Sequence, residues 1–315
     1  MANSEAVSGV DSFVLYGEES AYNTEQTTCT SHLGLISSFT PSVDNKQNYL
    51  YGFKGTTSGG RNVAARVPGV REHSNTVTMN PLNWNFMKYV LGAVSGSGTL
   101  TYAEANWLPS ITLHRCIDNP GSGATDQDAI WTGTVVDQAT IRCAVGGPVE
   151  VTLGMKSAYK KMDTTILSAQ ALTTDDVFHF AGASIELPNG TVLTNIIDSI
   201  EITISNNITL KAGLGSVAPV RAIPGERKYE IKFTLNYLDN ALDTAAIGSL
   251  TPGATTEASQ YATIECNFVK GSDSMALLFG LFQFDTVNGN EKINSSIMQD
   301  LSGTAYNCTG TEVQA

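Results

Sequence analysis

The sequence predicts a mainly β protein: tandem, duplicated antiparallel β-sandwich or barrel domains, each with a short flanking α-helix. Three observations carry this expectation. The first is strict alternation. Ile200, Ile202 and Ile204 interleave with Glu201, Thr203 and Ser205, and Tyr229, Ile231, Phe233 and Leu235 interleave with Glu230, Lys232 and Thr234. Side chains alternate faces along a strand, so each run has one apolar and one wet face, as in an antiparallel sheet laid on a core. The second is an internal repeat. Val67-Pro68-Gly69-Val70-Arg71 matches Ile223-Pro224-Gly225-Glu226-Arg227 at an offset of 156, and at that offset Thr78 meets Thr234, Asn80 meets Asn236 and Gly92 meets Gly248. Upstream, Ile36, Ser38 and Asn45 match Ile197, Ser199 and Asn206 at an offset of 161. Repeats that span whole supersecondary units indicate duplication. The third is composition: charged residues make up only 15% of the chain, below the usual quarter or so. A surface of Thr, Ser, Asn and Gly suits β-structure covered in part by partners.

Taken in order, residues 1–30 are polar and weakly patterned and read as an N-terminal arm. A first β domain is expected over 31–160, with strands near Leu35–Val43, Arg61–Val67 and Thr76–Met79. In NPLNWNFMKYVLG, Asn80 can cap and Pro81 fits the first helical position. Leu82, Phe86, Tyr89 and Val90 share a helix face, and Gly92 supplies the stop. Further strands are expected at Ile111–Ile117, Trp131–Val136, Thr140–Val145 and Val149–Met155. Residues 161–176 read as a linker. A second β domain follows over 177–287, with a Pro188-Asn189-Gly190 turn, the two alternating runs and a strand at Tyr261–Val269. Residues 288–315 read as a C-terminal arm.

Charge and motifs exclude several classes. Lys plus Arg is 18 against Asp plus Glu at 30, a net charge of −12, the wrong sign for neutralising phosphates. The start lacks the basic and apolar regions of a secretory signal, and the apolar run Met275–Phe284 is too short to span a bilayer, so a soluble protein made in a cytoplasm is expected. Cys29, Cys116, Cys143, Cys266 and Cys308 are scattered without metal spacing, and Cys266 shares a face with Ala262, Ile264 and Phe268, as a buried thiol would. His32, His73, His114 and His179 show no paired spacing. In His114-Arg115-Cys116 neighbouring side chains point to opposite faces, so a His/Cys pair there is expected to be poor geometry. Asp118-Asn119, Asp126-Gln127-Asp128 and Asp175-Asp176 could each offer oxygens to Ca²⁺, but none has an EF-hand pattern. No enzyme, metal site or cofactor is expected.

The repeated segments resemble the tail tube proteins of tailed bacteriophages and archaeal tailed viruses, in the long two-part form. The resemblance rests on YGEESAYNTEQT (Tyr16–Thr27), Pro68-Gly69, FHFAGASIELPNG, IDSIEITISNN with the GLGS and IPGER beyond it, and KFTLNYLDNALDTAAIG. It implies rings stacked into a hollow virion tail tube, assembled in the host cytoplasm, with strands of each domain lining an inner barrel. Two domains per chain imply three chains per ring with pseudo-sixfold symmetry, a six-chain ring being the alternative. Implied partners are the chain itself, other tail proteins and viral DNA passing through without specific binding, and no membrane. Glu201, Thr203, Ser205, Glu230 and Thr234 are then expected to face the lumen, where acidic and small polar groups would let DNA slide. The competing reading is a β-sandwich binding module, such as a carbohydrate-binding or adhesin domain, with Trp84, Trp107 and Trp131 as stacking platforms.

Overall fold

The computed structural model describes residues 12–51, 63, 65–117, 127–163, 176–188, 190–193, 197–237, 242, 260–290 and 297–314. In chain order the elements are β1 (Ser12–Glu18), β2 (Leu35–Asp44), β3 (Gln47–Leu50), β4 (Ala65–Pro68), β5 (Glu72–Asn80), α1 (Met87–Leu91), β6 (Gly92–Ser97), β7 (Thr99–Glu104), β8 (Ile111–Ile117), β9 (Gln127–Ala144), β10 (Glu150–Ser157) and β11 (Tyr159–Asp163). Then come β12 (Ala183–Glu186), β13 (Ile197–Ser205), β14 (Thr209–Ala212), β15 (Pro219–Ile223), β16 (Lys228–Asn236), β17 (Gln260–Lys270), β18 (Asp273–Asn290), β19 (Met298–Ala305) and β20 (Asn307–Val313).

Eight strands lie edge to edge in the order β2-β5-β10-β9-β13-β16-β19-β18, each pair antiparallel. Two of them, β9 and β18, are 18 residues long and change neighbours part-way. The first half of β9 pairs with β8 and β11, its second half with β10 and β13. The first half of β18 pairs with β17 and β20, its second half with β19. A bulge marks both changeovers: Asp137 stands unpaired between Val136 and Gln138, and Asp285 between Phe284 and Thr286. Bulges bend a strand and re-aim the residues beyond them, which suits a strand passing from one sheet segment to another. Four residues earlier, Gly133 and Leu281 both have positive φ, 62° and 51°.

Other irregularities recur in the same way. The ladders of β2 with β5 and of β13 with β16 slip between Ile36 and Ser38 and between Ile197 and Ser199. Beyond these strands Lys46 and Asn207 have φ of 30° and 48°. Each is closely approached by a glycine: a Cβ on Gly69 would stand 1.8 Å from the Lys46 carbonyl oxygen, and one on Gly225 would stand 2.6 Å from that of Asn207. The Pro-Gly of each repeated block is thereby explained, because only glycine permits that approach. Two-stranded hairpins, β3-β4 and β14-β15, fill the interval in each case.

The alternating runs behave as the periodicity requires. Ile202, Ile204, Ile231, Phe233 and Leu235 are buried, as are Val77, Met79, Val151, Leu153 and Met155 on β5 and β10. Each such side chain stabilises the fold by roughly 1.5–3 kcal/mol. Trp84, fully buried, stacks on Phe268 with ring centroids 5.3 Å apart and meets Phe178 edge-on, which ties the first half of the chain to the second.

Several expectations are corrected. Half of the supposed N-terminal arm is structural: β1 pairs with β8 along its length and buries Val14, Leu15 and Tyr16. The supposed C-terminal arm contains β19 and β20, with Leu301, Cys308 and Glu312 buried. Lys161–Asp163, the start of the expected linker, belongs to β11, and residues 164–175 lie outside the described residues. Trp131–Val136 and Thr140–Val145 are one strand, since the bulge bends the chain without ending it. The helix is shorter than its signals, starting only at Met87, because Asn80 stays in β5 and its Nδ2 donates to Val149 O at 2.8 Å. The stop is as expected: Gly92 has φ 113° and donates to Lys88 O. The matching helix signal after Tyr237 lies outside the described residues except for Leu242, which packs on the core.

Candidate functional site

The eight-stranded run presents one continuous polar face. Following the ladders across it at one level gives Ser38, Thr78, Thr152, Thr140, Thr203, Glu230, Thr304 and Gln283, six of the eight bearing hydroxyls. At the next level stand Glu150, Arg142, Glu201, Lys232, Ser302 and Thr286. Here the charges alternate in sign and pair. Arg142 Nε donates to Glu201 Oε2 at 2.7 Å, and Lys232 Nζ stands 3.8 Å from Glu201 Oε1. Opposite charges directly across strands stabilise a sheet by roughly 0.2–1 kcal/mol each. Hydroxyls also link neighbours: Thr286 with Ser302 at 2.6 Å, and Thr234 Oγ1 donating to Asp300 Oδ1 at 2.7 Å. The middle of the face is concave, and Arg142, Glu201, Lys232, Thr234, Asp300 and Ser302 line a depression of about 680 Å³.

All five residues expected at a lumen lie on this face. Glu201, Thr203 and Ser205 project from β13, and Glu230 and Thr234 from β16, each half-exposed between buried apolar neighbours. Glu201 and Glu230 are flanked by Arg142, Lys228 and Lys232, so the face is less acidic than the chain as a whole.

At the centre, where β9 pairs with β13, the two halves of the chain are clasped. Asn206, 1% exposed, donates from its backbone to Asp137 O at 2.7 Å and from Nδ2 to Val136 O and Val90 O, both at 3.1 Å. Its Oδ1 accepts from Arg227 Nε at 2.8 Å, and Arg227 Nη2 donates to Leu91 O at the end of α1 and to Ala105 O. The Asp137 carboxylate accepts from Ile208 N and stands 3.0 Å from Lys156 Nζ. A guanidinium at a helix C-terminus completes carbonyls that the helix leaves open. Sequence reading matched Asn206 and Arg227 to Asn45 and Arg71 but could not see that they meet.

The buried chemistry differs from expectation at one place. His114 and Cys116 are two apart, so they share a face of β8. His114 Nε2 lies 2.8 Å from Asp128 Oδ2, and the donor atoms of His114, Cys116 and Asp128 all lie within 4.8 Å of one another. These residues could hold a metal ion, but the carboxylate already has His114 as its partner. All three side chains of the group are buried, and in the segment after β1 the Glu19 carboxylate accepts from Ser110, Thr112 and Gly133. With every member buried, no substrate could reach it. The cysteines are all buried. Burial pushes the Cys29 and Cys143 thiols up to about 11 and raises those of Cys266 and Cys308 as well, so none of these four is a ready nucleophile. Of the tryptophans, Trp84 and Trp131 are in the core and Trp107 is exposed, so two of the three expected stacking platforms are closed to a ligand.

A broad antiparallel sheet with a hydroxyl-lined, charge-paired face defines a mainly β protein. The sequence profile of the phage tail tube proteins matches residues 9–305, nearly the whole chain, and the chain belongs to that family. No curated protein matches it.

Proposed function

We propose that the chain is the major tail tube subunit of its virion, self-assembling into stacked rings that form a hollow conduit for genome delivery. The polar face of the eight strands lines the lumen, with Glu201, Thr203, Ser205, Glu230 and Thr234 toward the passing DNA. A polyanion would meet hydroxyls and, at Arg142 and Lys232, cations already engaged by Glu201. The chain is read as two tube-like domains from one duplicated unit, first β1–β11 and then β12–β20. The recurring bulges, positive-φ residues and glycine contacts support that reading, because independent origins would not reproduce defects at matched positions. Assembly takes place in the host cytoplasm and docks the tube to other tail proteins.

The observation that carries the proposal is the β9–β13 pairing, which joins the wet faces of both halves into one surface. It favours three chains per ring over six, since a six-chain ring with one half outside would have to part these strands. Negative-stain microscopy with mass measurement tests it. Hollow rings or tubes are expected, with a ring mass three times the 33.4 kDa of the chain. A protein that stays monomeric at high concentration refutes it.

A further inference from the structure

We infer that β18 of one chain pairs with β2 of the next copy in the register that β9 and β13 already make within the chain. The occurrence of assembly rests on the tail tube reading; the register rests on geometry alone.

The chain contains one finished strand junction and two unfinished halves of the same junction. At the finished one, β9 has β10 on one side and β13 on the other. At one end of the sheet, residues 286–290 of β18 have β19 on one side and no described strand on the other. At the opposite end, β2 has β5 on one side and nothing described beyond it. These edges are the counterparts of β9 and β13. Asp285 matches Asp137 as the bulge, at an offset of 148, and the slips at Ile36/Ser38 and Ile197/Ser199 match at 161. The offsets are mutually consistent. Thr78 pairs with Ser38 and Thr152, and its counterpart Thr234 pairs with Ser199 and Asp300, as those offsets require.

The groups that the finished junction satisfies are left open at the edges. Ile204 is 0% exposed under the β9–β13 junction, whereas its counterpart Val43 is 50% exposed on the edge of β2. Asn206 and Asp137 are bonded to each other's segments. Their counterparts Asn45 and Asp285 are exposed and have no partner among the described residues. Arg227 is largely buried in the clasp, and Arg71 is exposed. A free edge with an uncovered apolar side chain and unfilled polar groups would recruit another strand, and the edge that fits this one in shape and register is on a second copy of the chain.

Carrying the register across makes each contact specific. Thr203 opposite Thr140 becomes Ser42 opposite Asn288 of the next chain, and Ile204 opposite Ala139 becomes Val43 opposite Val287. Asn45 then donates from its backbone N–H to Asp285 O and from Nδ2 to Phe284 O of the next chain, as Asn206 does to Asp137 O and Val136 O.

Directly opposed residues hold their Cα atoms about 4.5–5.5 Å apart, inside the span of about 4.4–6.8 Å that a disulfide bridges, while diagonal residues stand about 7–8 Å apart. The test therefore uses double variants Ser42→Cys/Asn288→Cys and Val43→Cys/Val287→Cys, oxidised after assembly, against the shifted control Ser42→Cys/Thr286→Cys. All native cysteines are buried, so the background is low. The in-register pairs should give covalent ladders up to a closed ring on a non-reducing gel, and the shifted pair should give little. Thr140→Cys/Thr203→Cys, closing within one chain, reports that the cysteines leave the fold intact. Tubes in which the in-register pairs stay unlinked, or the shifted pair links equally well, overturn the register and leave the tube reading standing. Failure of the unmodified protein to assemble overturns the tube reading and this inference with it. As a second measurement, Asn45→Ala and Asp285→Ala should each raise the concentration needed for assembly about tenfold, the effect of one lost hydrogen bond. They should leave unfolding of the single chain unchanged. Unaltered assembly in both variants overturns the clasp.

Discussion

Asn206→Ala probes the joint between the two halves of the chain. Asn206 is 1% exposed, and its side chain makes three hydrogen bonds, from Nδ2 to Val90 O and Val136 O and to Oδ1 from Arg227. Two are neutral bonds worth roughly 0.5–1.5 kcal/mol each, and the third, from a guanidinium, is worth roughly 1.5–3 kcal/mol. Alanine removes all three and leaves buried carbonyls without donors, so a loss of about 3–5 kcal/mol is expected. For a chain of 315 residues, an unfolding entropy of about 2.1 cal/mol/K per residue converts this to a fall in Tm of about 5–7 °C. Calorimetry on unassembled protein measures it. Asn45→Ala, at the matched but exposed position, should change stability by less than about 0.5 kcal/mol. Equal shifts for the two variants, or a shift of less than about 2 °C for Asn206→Ala, would refute the account of the clasp.

Three further outcomes are expected. Glu312, 2% exposed, accepts from Trp84 N at 3.0 Å and from the Tyr102 hydroxyl; Glu312→Ala should cost about 2–4 kcal/mol in urea unfolding, and a negligible effect would show that β20 is peripheral. None of the five thiols should react with a thiol reagent at pH 8 until denaturant is added, given their burial, and rapid native labelling would contradict the packing. His73 is buried, with neither ring nitrogen bonded, and burial holds its pKa below the usual 6.5, helped by Arg71 and Lys160. The unfolded chain therefore takes up the proton first. The stability His73 permits is intact above pH about 6.5 and declines as pH falls from there toward the folded value. His73→Leu should flatten that part of the acid slope in urea midpoints, and an unchanged slope would assign it to other groups.

Where the pattern was regular the sequence was transparent. Ile111–Ile117 forms the expected strand, and β13 and β16 keep the alternating faces read from their isoleucines and aromatics. The ends of the chain were opaque for a physical reason. In β19 and β20 several inward positions are glycine or polar, and neighbours fill the space. A Cβ on Gly303 would stand 2.4 Å from the Phe282 ring, and one on Gly310 would stand 2.7 Å from Met275 Cε. Such strands carry little apolar signal of their own. In β1 only Val14, Leu15 and Tyr16 mark burial, too short a run to show a period. The polar face was legible residue by residue. Its continuity was not, because the β9–β13 pairing joins segments some sixty residues apart with no matching motif. His114 and Cys116 were misjudged by attending to adjacent residues when alternate ones share a face.

The β9–β13 joint also bears on how growth could be timed. A chain that folds has already welded one joint, with no loss of translational freedom to offset. Its other edges, β2 and β18, carry guards against out-of-register pairing: Pro41 lacks an N–H to offer, and Asp44 and Asp285 place charge along them. In the proposed ring every second joint would then be a folding event, complete within the single chain, and only the alternate ones would be left to assembly.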